Sequence, residues 1–516
     1  MLRAKAGDFR ADACIVRTSH FSPMGFPVMR FPAAMLFIAI AGGALLTRVI
    51  EPQRALEQMA SLPAYAPALS SPFLVKVPKN EAAFASLSLA RPAPEAAPAP
   101  EPVPPPDRQI TIVLAGDTGL NGSFQPVHAG FAFKHGARVS FADATPGIAG
   151  LINGDVNFAN LETVVTDRNN LPASLKMFGF RTHPDGVREL LRIGFNVFST
   201  ANNHAMDYGS EGARETIRQL DVLGVVHAGL GLNRAAAASA RVIERRGVRV
   251  AFGALGIGGS GFGSLQAAEE RPGQLSVSER DLSEVTASLA ASKADYRVLS
   301  AHYGTEFDVT TSASDRRRFA AVLRGGADMV VGHHQHVAAG IEIVEGKPVF
   351  YGLGNFLHWG TQDMGRHGMC HDYGLVARVH LSGRPGEQLS VKAIEAIPVT
   401  DMHLKPQRLD AVASMERVQA LNHLNRQFGE QGVRFAVEAD GTGLYCAAGA
   451  ERLTGEIGSR CAANSGYKAP APALETRIAA ACAKRVVRIV DKAPEDDTPV
   501  RVGMLENSVS AADVLQ

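Results

Sequence analysis

From Gln109 onward, short apolar runs alternate with stretches whose hydrophobic residues recur at helical spacing. ITIVLAGDTG reads as a buried, β-branched strand ending at Gly116-Asp117. THPDGVRELLRIG predicts a capped amphipathic helix, followed by the strand FNVFSTA and then NNHAMDYG. SEGARETIRQLDVLG repeats the theme, with Ser210 as N-cap and Gly224 as stop. VRVAFGALGI and YRVLSAHYG predict strands, and SERDLSEVTASLAAS and SASDRRRFAAVLRGG predict helices. In ADMVVGHHQH an apolar run ends in Gly332 and presents His334 and His336. GIEIVEGKPVFYGLGNF predicts a hairpin around Glu345-Gly346. GLVARVHLS and LSVKAIEAIPVT predict antiparallel edges completing a sheet. Beyond Asp401 the pattern weakens: Leu409 to Phe428 suits a helix, and the remainder reads as a loosely structured tail. Strands alternating with helices indicate an α/β sandwich with strands buried on both faces.

Composition adds limits. The chain has 516 residues, 46% of them hydrophobic and 20% charged, with a net charge of +1. That near-neutral balance, without a basic stripe interleaved with aromatics, argues against a nucleic-acid partner. Arg3, Lys5, Arg10, Arg17 and Arg30 precede the apolar segment Phe31 to Leu46, which closes with Thr47 and Arg48. A positive flank before such a span predicts a signal or short anchor, with the N-terminus in the cytoplasm and the rest outside. Residues 51–108 are rich in Ala and Pro and end in RPAPEAAPAPEPVPPP, a stiff spacer. The predicted organisation is therefore 1–50 cytoplasmic N-terminus and signal/anchor segment, 51–108 linker, 109–400 folded domain and 401–516 partly structured extension. Among the cysteines, Cys14 precedes the span while Cys370, Cys446, Cys461 and Cys482 follow it. In an oxidising compartment the latter can pair, Cys446 with Cys461 being the most local choice.

Candidate chemistry lies just after strands: Asp117, Glu162, Asn203 with His204, His302, and His334 with His336. The C-terminal ends of parallel strands converge on one crevice, so polar residues there are candidates to meet. A lone Asp at such a place is more often a turn cap, and a lone His more often a hydrogen-bonded core residue. The set as a whole offers the mixed nitrogen and oxygen donors that suit divalent Mn, Zn or Fe, one ion or two. In such a site Glu162 is the bridging candidate, His204 a proton donor or oxyanion holder, and Asp207 the residue orienting it, unless Asp207 is merely a turn residue. His333 reads as a neighbour of the ligands.

GDTG, GDVNFANLET, FNVFSTANNHAMDYG, SAHYGTEF and GHHQHVAAGIEIVEGKPVFYGLGNF, in that order, resemble the poly-γ-glutamate capsule biosynthesis (CapA-type) family over Gln109 to Val399. The resemblance implies a calcineurin-like metallophosphoesterase sandwich, two β-sheets flanked by helices, displayed outside the cytoplasmic membrane on an N-terminal anchor. By position it implies Asp117 as the first metal aspartate, Glu162 in place of the bridging aspartate, Asn203 and His204 as the asparagine-histidine pair, His302 as the isolated histidine, and His334 with His336 as the closing H-x-H. One departure stands out: where phosphoesterases of that fold carry a histidine two residues after the first aspartate, this chain has Gly119.

The resemblance implies a role in making, exporting or anchoring an anionic extracellular polymer, alongside membrane subunits for its synthesis. Catalysis stays open at this stage. A metal-dependent hydrolase or transferase, a non-catalytic polymer-binding subunit of an export assembly, and a general periplasmic metallophosphoesterase all use the same residues. Substrate choice is expected in loops such as Gly256 to Gln274.

Overall fold

Apolar strands buried on both faces need cover on both sides, and the chain provides it with two large sheets packed against each other. The structure is a computed structural model that describes residues 107–257 and 266–486. The first sheet begins with β1 (Arg108–Gly119), β2 (Val156–Leu161), β3 (Val197–Ser199) and β4 (Val226–Ala228), mutually parallel. The second contains β5 (Arg241–Arg245), β6 (Val248–Gly256), β7 (Tyr296–His302), β8 (Met329–His333), β9 (Ile341–Val344) and β10 (Lys347–Phe350). Its order is β9-β10-β8-β7-β6-β5, and β9 and β10 are the hairpin expected around Glu345-Gly346. The chain then returns to the first sheet through β11 (Asn355–His358), β12 (Gly374–Gly383), β13 (Ser390–Thr400), β14 (Gln407–Arg408), β15 (Ala436–Val437) and β16 (Gly443–Cys446). That sheet runs β15-β16-β13-β12-β1-β2-β3-β4, with β11 paired to β1 and β14 to β13.

Between the sheets, Ile112 and Phe158 of the first meet Phe252, Val298 and Val331 of the second. Phe158 and Phe252 stack with ring centroids 5.5 Å apart. Helices cover the outer faces. Val187 and Leu190 of α1 (Pro184–Arg192) pack on Val113 and Ala115, and α2 (Gly209–Val222) follows β3. On the second sheet, Val285 and Leu289 of α3 (Glu279–Ala291) and Phe319 and Val322 of α4 (Ala313–Arg324) pack on Leu255, Leu299 and Val330. The helices start where the sequence offers acceptors for their free amides. His183 caps α1, Ser278 caps α3 and Ser312 caps α4, each accepting from a backbone amide in the first turn. In α2 the expectation fails by two residues: Tyr208 is the N-cap, without a side-chain bond, and Ser210 lies inside the first turn. The chain enters that helix from the tight turn of NNHAMDYG, and Gly209 at φ +59° makes the entry. Gly224, at φ +67°, ends the helix as expected.

β12 and β13 form an antiparallel pair, but they are interior strands rather than edges. The cause is the region after Asp401, which supplies strands beyond them: β16 pairs with β13 and β15 with β16. This region also holds α5 (Ala411–Asn425), α6 (Glu456–Ala463) and α7 (Pro472–Cys482). α5 lies within the span expected to be helical, Leu409 to Phe428, whereas the strands of this region are only two and four residues long and print no period, and covalent ties help fix them. Cys446 is bonded to Cys461 as expected, with Cα atoms 5.7 Å apart, and Cys370 to Cys482, with Cα atoms 5.0 Å apart.

Among the described residues no helix is long and apolar enough to cross a membrane. The apolar segment Phe31 to Leu46, Cys14, the spacer up to residue 106, the centre of the Gly256 to Gln274 loop and the tail after residue 486 lie outside the described residues.

Candidate metal centre

The parallel strands of both sheets end at one edge of the sandwich, and the chemistry gathers there. Asp117 sits near the end of β1, Glu162 follows β2, and Asn203 and His204 follow β3. From the second sheet come His302 at the end of β7 and His334 and His336 just after β8. Asp117 occupies an irregularity of β1, where the register shifts against both β2 and β11. Gly116 makes that irregularity possible: a Cβ there would lie 1.8 Å from the carbonyl oxygen of Gly354, the same oxygen that accepts from the Asp117 amide at 3.0 Å. After β8 the backbone is forced again, with His334 at φ +96° and His336 at φ +57°. Non-glycine residues in this region are uncommon and gather at functional sites.

All the ligand candidates meet. Asp117, Glu162 and His302 are fully buried, and His334 and His336 are nearly so. His336 Nδ1 is 3.4 Å from Asp117 Oδ2 and 4.0 Å from Glu162 Oε2. His302 Nε2 is 3.5 Å from Glu162 Oε1 and 2.7 Å from Asn203 Oδ1. The rings of His302 and His334 have centroids 4.8 Å apart. Glu162, His302 and His334 form one group of ligand atoms within 4.8 Å of one another, Asp117, Glu162 and His336 a second, and Glu306, His334 and His336 a third. Glu162 belongs to two of these groups, as a bridging carboxylate does.

Whether these residues suit a cation can be judged from Glu162. Both of its oxygens are buried and neither has a hydrogen-bond partner. A carboxylate stripped of water and of donors is costly to bury. Its neighbours on His302, His336 and His358 are imidazole nitrogens at 3.4 to 4.0 Å. Donors sharing an ion at about 2.1 Å stand that far apart, rather than at hydrogen-bond distance. The donor set fits a divalent metal.

Electrostatics point the same way. For Asp117 burial opposes ionisation, but contacts with His333, His336 and His302 outweigh it and hold the carboxyl well below its usual range. Glu162 is pushed up to about 7 by burial and by the Asp117 charge. Burial lowers His302 and takes His334 down to about 4, leaving neutral imidazoles with a lone pair to offer. For His336 burial lowers, but Glu162 and Asp117 together raise it to about 9. An anion-rich pocket that retains a proton on one histidine lacks positive charge.

His204 and Asp207 form a separate unit at the rim. His204 Nδ1 donates to Asp207 Oδ2 at 2.6 Å, which leaves Nε2 facing Glu162 Oε1 at 4.0 Å. Asp207 also accepts from the Phe180 amide at 2.7 Å and pairs with Lys176 Nζ at 2.5 Å. The carboxylate is thereby fixed from three sides, and the imidazole with it.

His333, read from the sequence as a neighbour of the ligands, points inward, its Nδ1 3.4 Å from Asp117 Oδ1. Other residues here escaped the sequence reading. Asn160 donates to Asp117 Oδ1 at 2.8 Å, and its amide nitrogen lies 3.1 Å from His302 Nδ1. Asn355 accepts from His336 Nδ1 at 2.8 Å. His358, the last residue of β11 and paired with Gly119 of β1, brings Nε2 within 3.4 Å of Glu162 Oε2. A Cβ on Gly119 would meet the His358 ring at 3.7 Å, so that imidazole borders the space beside the glycine. The signal for His358 was present, since it too is a polar residue ending an apolar strand. Lys176 gave none, lying in a loop that only the fold brings back.

Residues 111–359 match the family described as bacterial capsule synthesis protein PGA_cap. The chain is 34% identical over 203 residues to the PGA biosynthesis protein CapA of Bacillus subtilis, covering 38% of this chain and 52% of that one. It is 34% identical over 209 residues to a probable polyglutamine synthesis accessory protein of Mycobacterium tuberculosis, covering 39% and 55%. The chain therefore spans about half the length of these curated relatives. Among solved structures, NAD nucleotidase of Haemophilus influenzae aligns with a TM-score of 0.33 at 11% identity, over 61% of this chain and 63% of that one. The motifs that gather around Glu162 fall within the matched residues, His358 at their far end, and it is over residues 111–359 that the chain matches the PGA_cap family and resembles the CapA-type capsule synthesis proteins.

Proposed function

We propose that this chain is an extracytoplasmic accessory of anionic-polymer capsule synthesis, working as a metal-dependent hydrolase or transferase on the polymer. The single observation carrying the metal is Glu162, a buried carboxylate without hydrogen-bond partners inside a ring of imidazoles. Glu162 with His302 and His334, next to Asn203, would hold such an ion, as would Glu162 with Asp117 and His336. The sandwich is then of the calcineurin-like metallophosphoesterase kind. A divalent ion bound there supplies Lewis acidity for an amide carbonyl or phosphoryl group and for water. His204 moves the proton: Asp207 holds its Nδ1–H, and Nε2 faces the reacting side as donor to the leaving group. Lys176 balances the Asp207 charge, so Asp207 need not draw on the ion.

Placement outside the cytoplasm is supported by the basic, then apolar N-terminal sequence and by the two disulfides, which persist in oxidising compartments. The partners in this reading are the polymer, the cytoplasmic membrane through the N-terminal segment, and polymer-synthesis subunits of that membrane.

The test is metal content of the purified chain by mass spectrometry after loading with Mn, Zn or Fe. Wild type retains metal, and Glu162→Gln and His336→Ala lose most of it. His204→Ala keeps the metal but loses turnover of γ-linked glutamate oligomers. A wild-type chain that binds none of these ions ends the proposal. A second reading, a subunit that grips the polymer without cleaving it, is favoured by Gly119, which brings no imidazole of its own where the pattern it resembles has one and leaves the nearby His358 facing Glu162 instead. Retained metal and polymer binding with no turnover under any of the three ions selects that reading.

A further inference from the structure

A cavity of about 570 Å³ adjoins the metal centre and is walled by the C-terminal extension. One wall is the loop after β7, where Glu306 groups with His334 and His336 and Asp308 faces across. The other wall is the short segment following α7, which carries Lys484 and Arg485. Its position is not accidental. α7 is pinned to α5 by Glu475, which accepts from His423 at 3.0 Å and from Arg426, and by the fully buried Ile478. At its end Cys482 is bonded to Cys370. Lys484 and Arg485 therefore follow directly on a covalent anchor.

Both cations are exposed, and neither has an ion-pair partner among the described residues. Across the cavity Asp308 already spends an oxygen on Thr310, at 2.9 Å to the amide and 2.7 Å to the hydroxyl. Between the walls lies His371, 1% exposed, with an Nδ1 that has no hydrogen-bond partner. A cleft of this size suits part of a chain-like or small ligand. Two cations with no ion-pair partner among the described residues, next to the buried His371, give this wall of the cavity a charge that suits an anion. Asp308 and Glu306 opposite disfavour a dianion such as phosphate and tolerate a single carboxylate, because repulsion grows with the charge brought in.

We infer that this cavity is a subsite for a carboxylate of a polymeric ligand, held by Lys484 and Arg485 while an adjoining unit of the same chain reaches the metal centre. It rests on the proposed function only for what lies at the metal end; anion capture by the cavity stands independently. The C-terminal extension, outside the family match, would then set which polymer this protein accepts.

The experiment is fluorescence anisotropy of a labelled γ-linked glutamate oligomer with the full, metal-loaded chain. Lys484→Glu with Arg485→Glu is expected to weaken binding about tenfold and to flatten its salt dependence, with metal content and thermal midpoint unchanged. His336→Ala, which removes metal, is expected to keep the oligomer within a few-fold of wild-type affinity, so failure of the metal reading and failure of the subsite are told apart. Unchanged affinity in the double charge reversal overturns the proposal. So does displacement of the oligomer by inorganic phosphate at concentrations where acetate has no effect, since the subsite would then prefer a dianion.

Discussion

At the scale of single residues, the centre depends on a glycine as much as on its ligands. Gly116→Ala places a methyl against the Gly354 carbonyl at 1.8 Å, a backbone contact with no soft partner to yield. Loss on the order of 4 kcal/mol or more is expected, read as a large drop in thermal midpoint together with metal content. Protonation gives a second prediction. Glu162, raised to about 7, and His336, raised to about 9, both hold protons in the metal-free protein near neutrality. Metal must displace them. Apparent metal affinity measured by calorimetry therefore climbs with pH through 7 toward 9, and protons are released on binding; a flat profile across that range refutes the assignment. Gly119 bears on stoichiometry, because it brings no side chain to the Asp117 side of Glu162.

At the scale of elements, the extension after Asp401 is built into the sheet and stapled to it. Cys370–Cys482 spans a sequence separation of 112 and Cys446–Cys461 one of 15. The chain-entropy argument assigns upper values of about 5 and about 3 kcal/mol to loops of those lengths. Replacing Cys370 and Cys482 by serine should lower the thermal midpoint more than replacing the other pair, and equal shifts would count against a cross-link acting through the unfolded chain. A buried ionic knot joins α6 to β13: Glu395 takes His380 at 2.7 Å and Arg460 at 2.7 Å, with Arg378 nearby. Burial works against the Glu395 charge, but these partners prevail and bring the carboxyl down to about 2. A depressed carboxyl contributes its stability in full above its ordinary range near 4.5, and loses it as pH falls toward 2. The contribution is on the order of 3 kcal/mol, so Glu395→Gln should flatten the fall in denaturant midpoint between pH 4.5 and 2 while lowering stability at pH 7.

At the scale of the whole molecule, the two sheets share the site. Asp117, Glu162, Asn203 and His204 come from the first, and His302, His334 and His336 from the second. The candidate metal centre therefore reports on how the sheets are seated. Phe158→Ala removes one ring of the Phe158–Phe252 stack, at a cost of about 3–5 kcal/mol. Because β2 carries both Phe158 and the approach to Glu162, metal affinity should fall in this variant although no ligand is touched; unchanged affinity would indicate that the edge holds its geometry without the inter-sheet core.

Much was legible before any coordinates. Apolar runs interrupted by helical periods give the alternating architecture because each strand must be covered on both faces, and the polar residues at strand ends mark the crevice because parallel strands finish on the same side. Cys446 and Cys461 are close enough in sequence to pair by proximity. Tertiary structure alone decided the rest. The role of Lys176, the inward turn of His333, the approach of His358 to Glu162 and the cavity beneath the Cys370–Cys482 link all join segments distant in sequence, where no local pattern carries information. Beyond the helix expected over Leu409 to Phe428, the extension looked loose because strands of two and four residues leave little periodic trace; their order comes from pairing with β13 and from covalent ties, contacts that exist only once the chain has closed upon itself.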